Sequence, residues 1–165
     1  MKSKLFVILA VIFCECVTGC TTVRNMNDIS QISYTSNAGT ISPELQWYEE
    51  IIITNNNVTL TRQGRTTDTE INEGSWEFVV DEQNVAALFA QLESVDVTSI
   101  KRIEPEDPVD GGDAVSYTIV YANSKTFSLA YDPGTTYTDG MLIVNPIEIF
   151  IQSLNLPIEA ISRYK

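Results

Sequence analysis

The residues best suited to chemistry are five carboxylates that fall within ten positions, in the segment from Glu104 to Asp113. Prolines and glycines interrupt this segment, and calcium favours flexible loops that are rich in oxygen ligands. The candidate metal ligands are Glu104, Asp107, Asp110 and Asp113, although their spacing does not match the EF-hand pattern. The alternative is a solvated loop in which like charges repel one another. The sequence favours this second interpretation, and we expect no bound metal.

Composition excludes most other catalytic arrangements. The 165 residues include no histidine, so the chain has no Ser-His-Asp or Cys-His nucleophile and no imidazole acid or base. Paired carboxylates remain as an acid and a base for glycoside hydrolysis, but such pairs need a groove with aromatic walls. The aromatic residues here alternate with polar ones, as core-facing strand positions do. The sequence also lacks a P-loop and a dinucleotide-binding turn. We therefore expect a protein that is not an enzyme and carries no cofactor.

A second polar loop, from Tyr131 to Gly140, contains the tyrosines Tyr131 and Tyr137. Tyrosine is common at protein interfaces because it buries a large area at a low cost in entropy. The alternative is a turn-rich connection with Tyr131 in the core. We favour the connection.

The N-terminus has the organisation of a secretion signal. Lys2 and Lys4 precede an apolar run from Leu5 to Phe13, which is too short to span a bilayer. The signal ends in the motif Val17-Thr18-Gly19-Cys20, in which a branched apolar residue, a small residue and a glycine precede a cysteine. This motif resembles the lipobox of bacterial lipoproteins. The alternative is an ordinary cleaved signal with incidental cysteines.

The resemblance to lipoproteins has several implications for the mature chain. Residues 1–19 would be removed, and Cys20 would become the lipidated N-terminus that attaches the protein to a membrane. Thr21, rather than an aspartate, follows the cysteine, which resembles the default sorting signal for the outer membrane. The resemblance therefore implies a cell-envelope protein, lipid-anchored in the outer membrane and facing the periplasm or the surface. The globular domain resembles uncharacterised small lipoproteins, with no family assigned.

Charge narrows the choice of partner. The chain has 22 acidic and 10 basic residues, so it would repel the phosphates of nucleic acid. We expect no nucleic-acid partner and favour a protein partner that is basic. Two functions fit: a noncatalytic binding or envelope-maintenance domain, or an acidic inhibitor or immunity-type protein that neutralises a basic enzyme by electrostatic steering.

The sequence predicts strands in two hairpins and one further segment. Residues 46–54 and 58–62 form the first hairpin around a turn of three asparagines, and alternation from Trp76 to Val80 predicts a short third strand. Val115–Tyr121 and Phe127–Tyr131 alternate around Asn123-Ser124, which predicts the second hairpin.

Two helices follow the strand segments. Asp81 is a suitable N-cap for the first helix, whose apolar residues repeat at helical spacing. These residues are Val85, Leu88, Phe89 and Leu92. Asn145-Pro146-Ile147-Glu148 predicts the start of the second helix as a capping box with proline in the first turn, and Pro157 is its predicted stop.

These elements predict an α+β fold, an antiparallel sheet of about five or six strands with both helices on one face. The other face would carry threonines and serines, either solvated or as a docking surface. Those residues are Thr59, Thr61, Ser116, Thr118, Thr126 and Ser128. Two hairpin-and-helix units of a degenerate duplication are an alternative description. The predicted domains are a signal peptide at 1–19, a lipidated N-terminus and linker at 20–31, and a single globular α+β domain at 32–165.

Overall fold

The computed structural model describes residues 28–39, 46–64, 73–107, 109–154 and 156. Its strands are β1 Ile29–Asn37, β2 Trp47–Ile53, β3 Asn57–Gly64, β4 Gly74–Val79, β5 Arg102–Ile103, β6 Ala114–Tyr121, β7 Thr126–Tyr131 and β8 Thr136–Tyr137. Its helices are α1 Glu82–Glu93 and α2 Met141–Ser153, with a short 3₁₀ turn at Val97–Ser99. Six strands form one sheet in the order β4-β3-β2-β1-β6-β7, and β5 pairs with β8 in a separate small sheet. Every strand pair is antiparallel, so the predicted α+β fold is confirmed.

Strand β1 lies at the centre of the sheet between β2 and β6, although the sequence analysis did not predict it. The strand begins at Ile29, so residues 29–31 belong to the domain and not to the predicted linker of residues 20–31. A register shift between Ile29 and Gln31 separates the buried Ile29 and Ile32 by three positions. This spacing breaks the alternation by which strands are recognised in a sequence.

The sheet has one apolar face, and both helices pack against it. In the ladder, Ile32 pairs with Ile53 and with Ile119, so these side chains share a face. Tyr117 on that face donates a hydrogen bond to Glu148 of α2 at 2.5 Å. The buried cluster joins this face to the helices, and it contains Ile32, Ile51, Ile53, Val58, Leu60, Tyr117, Ile119 and Leu129 from the strands and Val85, Leu88, Phe89, Leu92, Ile143, Val144, Ile147, Phe150 and Ile151 from the helices.

The opposite face carries the threonines and serines that the alternation predicted. Thr118 and Ser128 are cross-strand partners, and their hydroxyl oxygens are 2.8 Å apart. Thr35 and Ser116 form an equivalent pair at 2.7 Å. The hydroxyls therefore bond partly to one another as well as facing solvent.

Helix α1 agrees with the sequence in its cap and in its buried face. The Asp81 carboxylate accepts a hydrogen bond from the Gln83 amide at 2.8 Å, which satisfies one of the free amides of the first turn. The four predicted apolar residues, Val85, Leu88, Phe89 and Leu92, are the buried residues of the helix.

Helix α2 begins five residues earlier than the capping-box motif predicts, so that prediction is wrong. The helix starts at Met141 after Gly140, and Pro146 lies inside it. An interior proline costs about 3 kcal/mol because it removes one backbone hydrogen bond. The added first turn buries Ile143 and Val144, each worth about 1.5–3 kcal/mol, so burial outweighs the proline. The helix ends at Ser153; Pro157, its predicted stop, lies outside the described residues.

The two hairpins with their helices are not equivalent in the sheet. Hairpin β2–β3 is extended by β4 within the large sheet, whereas the segment after β7 forms β8 and pairs with β5. Strand β1 separates the two hairpins. Internal duplication stays a prediction.

Candidate functional site

The acidic segment that the sequence singled out is held by an arginine at its start. The Arg102 guanidinium donates to Glu104 at 2.5 Å and to Asp132 at 2.9 Å. Within the described residues, no three acidic side chains are grouped so that they could hold a metal ion. The structure therefore pairs Glu104 with an arginine and does not gather it with Asp107, Asp110 and Asp113.

Arg102 organises a cluster that sequence reasoning missed. Its side chain also lies 3.4 Å from the Ala130 carbonyl oxygen and 3.4 Å from the hydroxyl of the buried Thr135. Hydrogen bonds with Glu104 and then Asp132 raise the pKa of Arg102, so the guanidinium stays charged. The cluster joins β5 to the end of β7 across about thirty residues of sequence, a separation at which local patterns carry no signal.

Four tyrosine rings form a continuous row, and one of them, Tyr117, bonds to α2. The ring centroids of Tyr34 and Tyr117 are 5.5 Å apart, those of Tyr117 and Tyr131 are 6.1 Å apart, and those of Tyr131 and Tyr137 are 5.0 Å apart. Burial, and then the hydrogen bond to Glu148, raise the pKa of Tyr117. Burial also raises the pKa of Tyr131. Burial therefore favours the protonated form of the Tyr117 and Tyr131 phenols, which pack against the core.

This row decides between the two interpretations of the Tyr131–Gly140 loop. Tyr131 packs against the core, as the preferred interpretation predicted. The Tyr137 hydroxyl accepts from the Ala130 amide at 3.0 Å and donates to the Ala130 carbonyl at 3.1 Å. Both tyrosines therefore pack and bond within the domain itself.

A buried ion pair lies at one end of the apolar sheet face. Arg62, with 1% of its side chain exposed, donates to Glu49 at 2.7 Å. Ser36 is opposite Glu49 in the ladder, and its hydroxyl is buried without a hydrogen-bond partner in the described part of the chain. The alternation of β3 could have predicted the position of Arg62. Arg62 is two residues after Leu60 and four after Val58, so it lies on the same inward face as both. The two ions neutralise each other inside the fold.

The outer surface of the helices carries an apolar groove of about 550 Å³ between α1 and α2. Met141, Leu142 and Ile149 line it and are more than half exposed, with Ile149 at 66%. Large side chains exposed together are typical of surfaces that contact another molecule. Sequence reasoning missed this patch because it started α2 after Met141 and Leu142.

Acidic groups dominate the remaining surface. Ion pairs neutralise Glu49, Glu104 and Asp132 in the described residues. Lys101 and Lys125 form no ion pair there, so the other acidic side chains have no cationic partner among the ranges that the structure describes. Such a surface produces a strong negative potential.

Cys20, the predicted lipidation site, lies outside the described residues, together with the rest of the signal and lipobox. In the part of the chain that the structure describes, no helix has the length and apolar character needed to cross a membrane. No protein-family model matches the chain, and a search of curated proteins finds no significant relative.

Proposed function

We propose that this chain is a lipid-anchored cell-envelope protein whose domain binds a protein partner without catalysing a reaction. The observation that carries the proposal is the unneutralised acidic surface of the folded domain, which selects a basic partner. The apolar groove between the helices supports a binding role as well. Its large exposed side chains lie together on α2, whereas exposed apolar residues without a role are usually scattered singly over a surface.

The anchor in this proposal is the lipid on Cys20. Residues 21–28 separate Cys20 from β1, so they would form the tether between the lipid and the acidic domain. Anionic headgroups repel an acidic domain, which leaves its surface available for a partner. Thr21 supports an outer-membrane location, with the domain facing the periplasm or the cell surface.

The noncatalytic role is supported by how the buried polar groups are used. Glu49 is held by Arg62, and Glu148 accepts from Tyr117. Both carboxylates are therefore bonded to the domain's own side chains, and neither lines the groove between the helices. Their geometry serves the fold.

A second candidate function is that of an inhibitor or immunity-type protein, which the same acidic surface favours. Such proteins cover a basic enzyme, and electrostatic steering makes the encounter fast. The two functions differ in their consequence for the partner, because an inhibitor abolishes an activity and an envelope-maintenance domain does not.

Two measurements test the proposal. Purified domain immobilised through its C-terminus is expected to retain a basic envelope protein at low ionic strength and to release it at high ionic strength. Assay of the retained protein's enzymatic activity with and without the domain separates the two candidate functions. If the retained proteins were acidic, or if their retention did not depend on ionic strength, the acidic surface would be excluded as the binding determinant.

The anchor is tested separately by Cys20→Ala. This variant is expected to incorporate no labelled palmitate and to lose its membrane attachment. The matched control is Cys16→Ala, which leaves the lipobox motif unchanged and should be labelled normally. Undiminished labelling of Cys20→Ala would overturn the lipoprotein assignment.

A further inference from the structure

The two edges of the large sheet differ in how their backbone groups are used. The Val80 amide donates to the Asn56 carbonyl, so Val80 faces β3. Because residues of an antiparallel strand alternate in direction, the backbone groups of Ser75, Glu77 and Val79 point away from the sheet. Among the residues that the structure describes, strand β4 therefore presents one row of backbone donors and acceptors without a partner.

The opposite edge is closed at one end. Ala130 of β7 points outward, but the Tyr137 hydroxyl bonds both its amide and its carbonyl, and Arg102 contacts the same carbonyl. A side chain thus occupies the place where a further strand would bond. Among the described residues, no side chain bonds the outward backbone of β4 in this way.

Strand β4 is also exposed and amphipathic. Val79 is 93% exposed, and Glu77 is exposed beside it on the polar face. Trp76 and Phe78 lie on the apolar face and are only partly buried, so their outer edges stay uncovered. A strand added here would meet apolar rings on one face and a carboxylate on the other.

We propose that β4 binds an extended segment of a basic protein, which adds to the sheet as a seventh strand. The inference rests on the proposed function and names the partner segment that the acidic domain recognises. Backbone hydrogen bonds to Ser75, Glu77 and Val79 supply the attachment. Lysine or arginine opposite Glu77 and apolar residues beside Trp76 and Phe78 supply the specificity.

Charge argues against a second copy of the chain as the occupant. The symmetric register that pairs all three outward residues places Glu77 directly opposite Glu77. Each chain also carries a net charge of -12, so two copies repel each other.

The probe that tests this is a capped hexapeptide of alternating lysine and valine, which matches the six residues of β4. The same peptide with glutamate in place of lysine is the control for charge. On binding, hydrogen exchange of the Ser75, Glu77 and Val79 amides is expected to slow in nuclear magnetic resonance spectra, because these amides become bonded. The glutamate peptide is expected to produce no protection.

Two proline variants separate the edges. Val79→Pro removes an outward amide that no described residue bonds, and it leaves the charge unchanged. This variant is expected to lower the affinity for the lysine peptide by about tenfold or more, since one backbone hydrogen bond and the local strand geometry are lost. Ser128→Pro removes the equivalent outward amide of β7 and is expected to bind as the wild type does. Should Val79→Pro fail to fold, Glu77→Lys, expected to weaken binding by about tenfold, replaces it.

The outcomes are decisive and distinguish this inference from the proposed function. Strand addition would be overturned if Val79→Pro and the wild type bound the lysine peptide equally well, or if the peptide bound without protecting the β4 amides. In either case, a partner retained in a salt-sensitive way would still support the acidic binding role. Dimers in sedimentation that Val79→Pro abolishes would assign the edge to a second copy and also overturn it. Loss of salt-sensitive retention in the envelope experiment would overturn the proposed function and its basic partner, whereas strand addition at β4 is judged by the peptide experiment.

Discussion

At the scale of single residues, Arg62 and Glu49 show how polar groups enter the core of this fold. They are cross-strand partners, and the guanidinium and carboxylate meet at 2.7 Å with almost no exposure. Such a pair contributes little net stability, because desolvation of both ions offsets their attraction. Removing one partner is costly, because the other ion remains buried.

Arg62→Ala is therefore expected to lower the free energy of unfolding by about 3–5 kcal/mol. The double variant Arg62→Met with Glu49→Leu should lose much less unfolding free energy, since it removes both buried charges and keeps the side-chain volume similar. Lys125→Ala, at an exposed position, is the control and should change stability by less than about 0.5 kcal/mol. Urea unfolding of the four proteins measures this, and equal losses for the single and double variants would contradict it.

Tyr117 predicts a dependence of stability on alkaline pH. Burial and the bond to Glu148 raise its pKa in the folded state above the value of about 10 in an unfolded chain. Above that pH the unfolded state loses a proton that the folded state keeps, so stability falls as the pH rises. The contribution is fully present below pH 10.

Tyr117→Phe is expected to reduce this alkaline slope by up to about 1.4 kcal/mol per pH unit. Urea midpoints for the variant and the wild type, taken at intervals between about pH 9 and about pH 11, measure the two slopes. The remaining slope in the variant includes contributions from Tyr48, Tyr121 and Tyr131, whose pKa values burial also raises. Two parallel curves would show that Tyr117 ionises as freely in the fold as in the unfolded chain.

At the scale of elements, the two helices differ in whether the predicted N-cap residue forms a cap. Asp81 and Asn145 are both good N-cap residues by type. Asp81 caps α1, whereas Asn145 lies inside α2 and is exposed. Local sequence cannot distinguish them, because the choice depends on whether the preceding turn has a core to enter.

Asp81→Ala is expected to lower stability by about 1 kcal/mol through loss of the cap. Asn145→Ala should change it by less than about 0.5 kcal/mol, because no cap is lost at an exposed helical position. Thermal melting of both variants measures the difference. A loss at Asn145 as large as that at Asp81 would mean that α2 begins where the capping-box motif predicted.

At the scale of the whole molecule, like charge is a cost that the core must offset. The chain has 22 acidic and 10 basic residues, and two of the basic ones, Arg62 and Arg102, are already engaged in ion pairs. Repulsion among the remaining carboxylates disfavours the compact state.

Salt is therefore expected to stabilise the fold. Raising sodium chloride from about 10 mM to about 150 mM shortens the Debye length from about 30 Å to about 8 Å and should raise the melting temperature. The control is Asp110→Asn with Asp113→Asn, which removes two charges of the acidic segment and should show a smaller rise. A melting temperature that is independent of salt would show that repulsion is negligible.

The sequence alone determined the elements whose signal is local. Alternation in the two hairpins, the stripe of α1 and the polar outer face all follow from side-chain periodicity, and each has the predicted face in the structure. Composition also determined that no histidine chemistry is available and that the surface is acidic.

Tertiary structure decided what depends on contacts between distant residues. β1 was recognisable only by its place between β2 and β6, because a bulge hides its alternation. The first turn of α2 exists because the core accepts Ile143 and Val144, and Glu104 meets Arg102 and not other carboxylates because β5 pairs with β8. The open edge of β4 was equally invisible, since an edge is defined by the strand that is missing. Periodicity reports which face of an element is buried, whereas only the assembled sheet determines its neighbours.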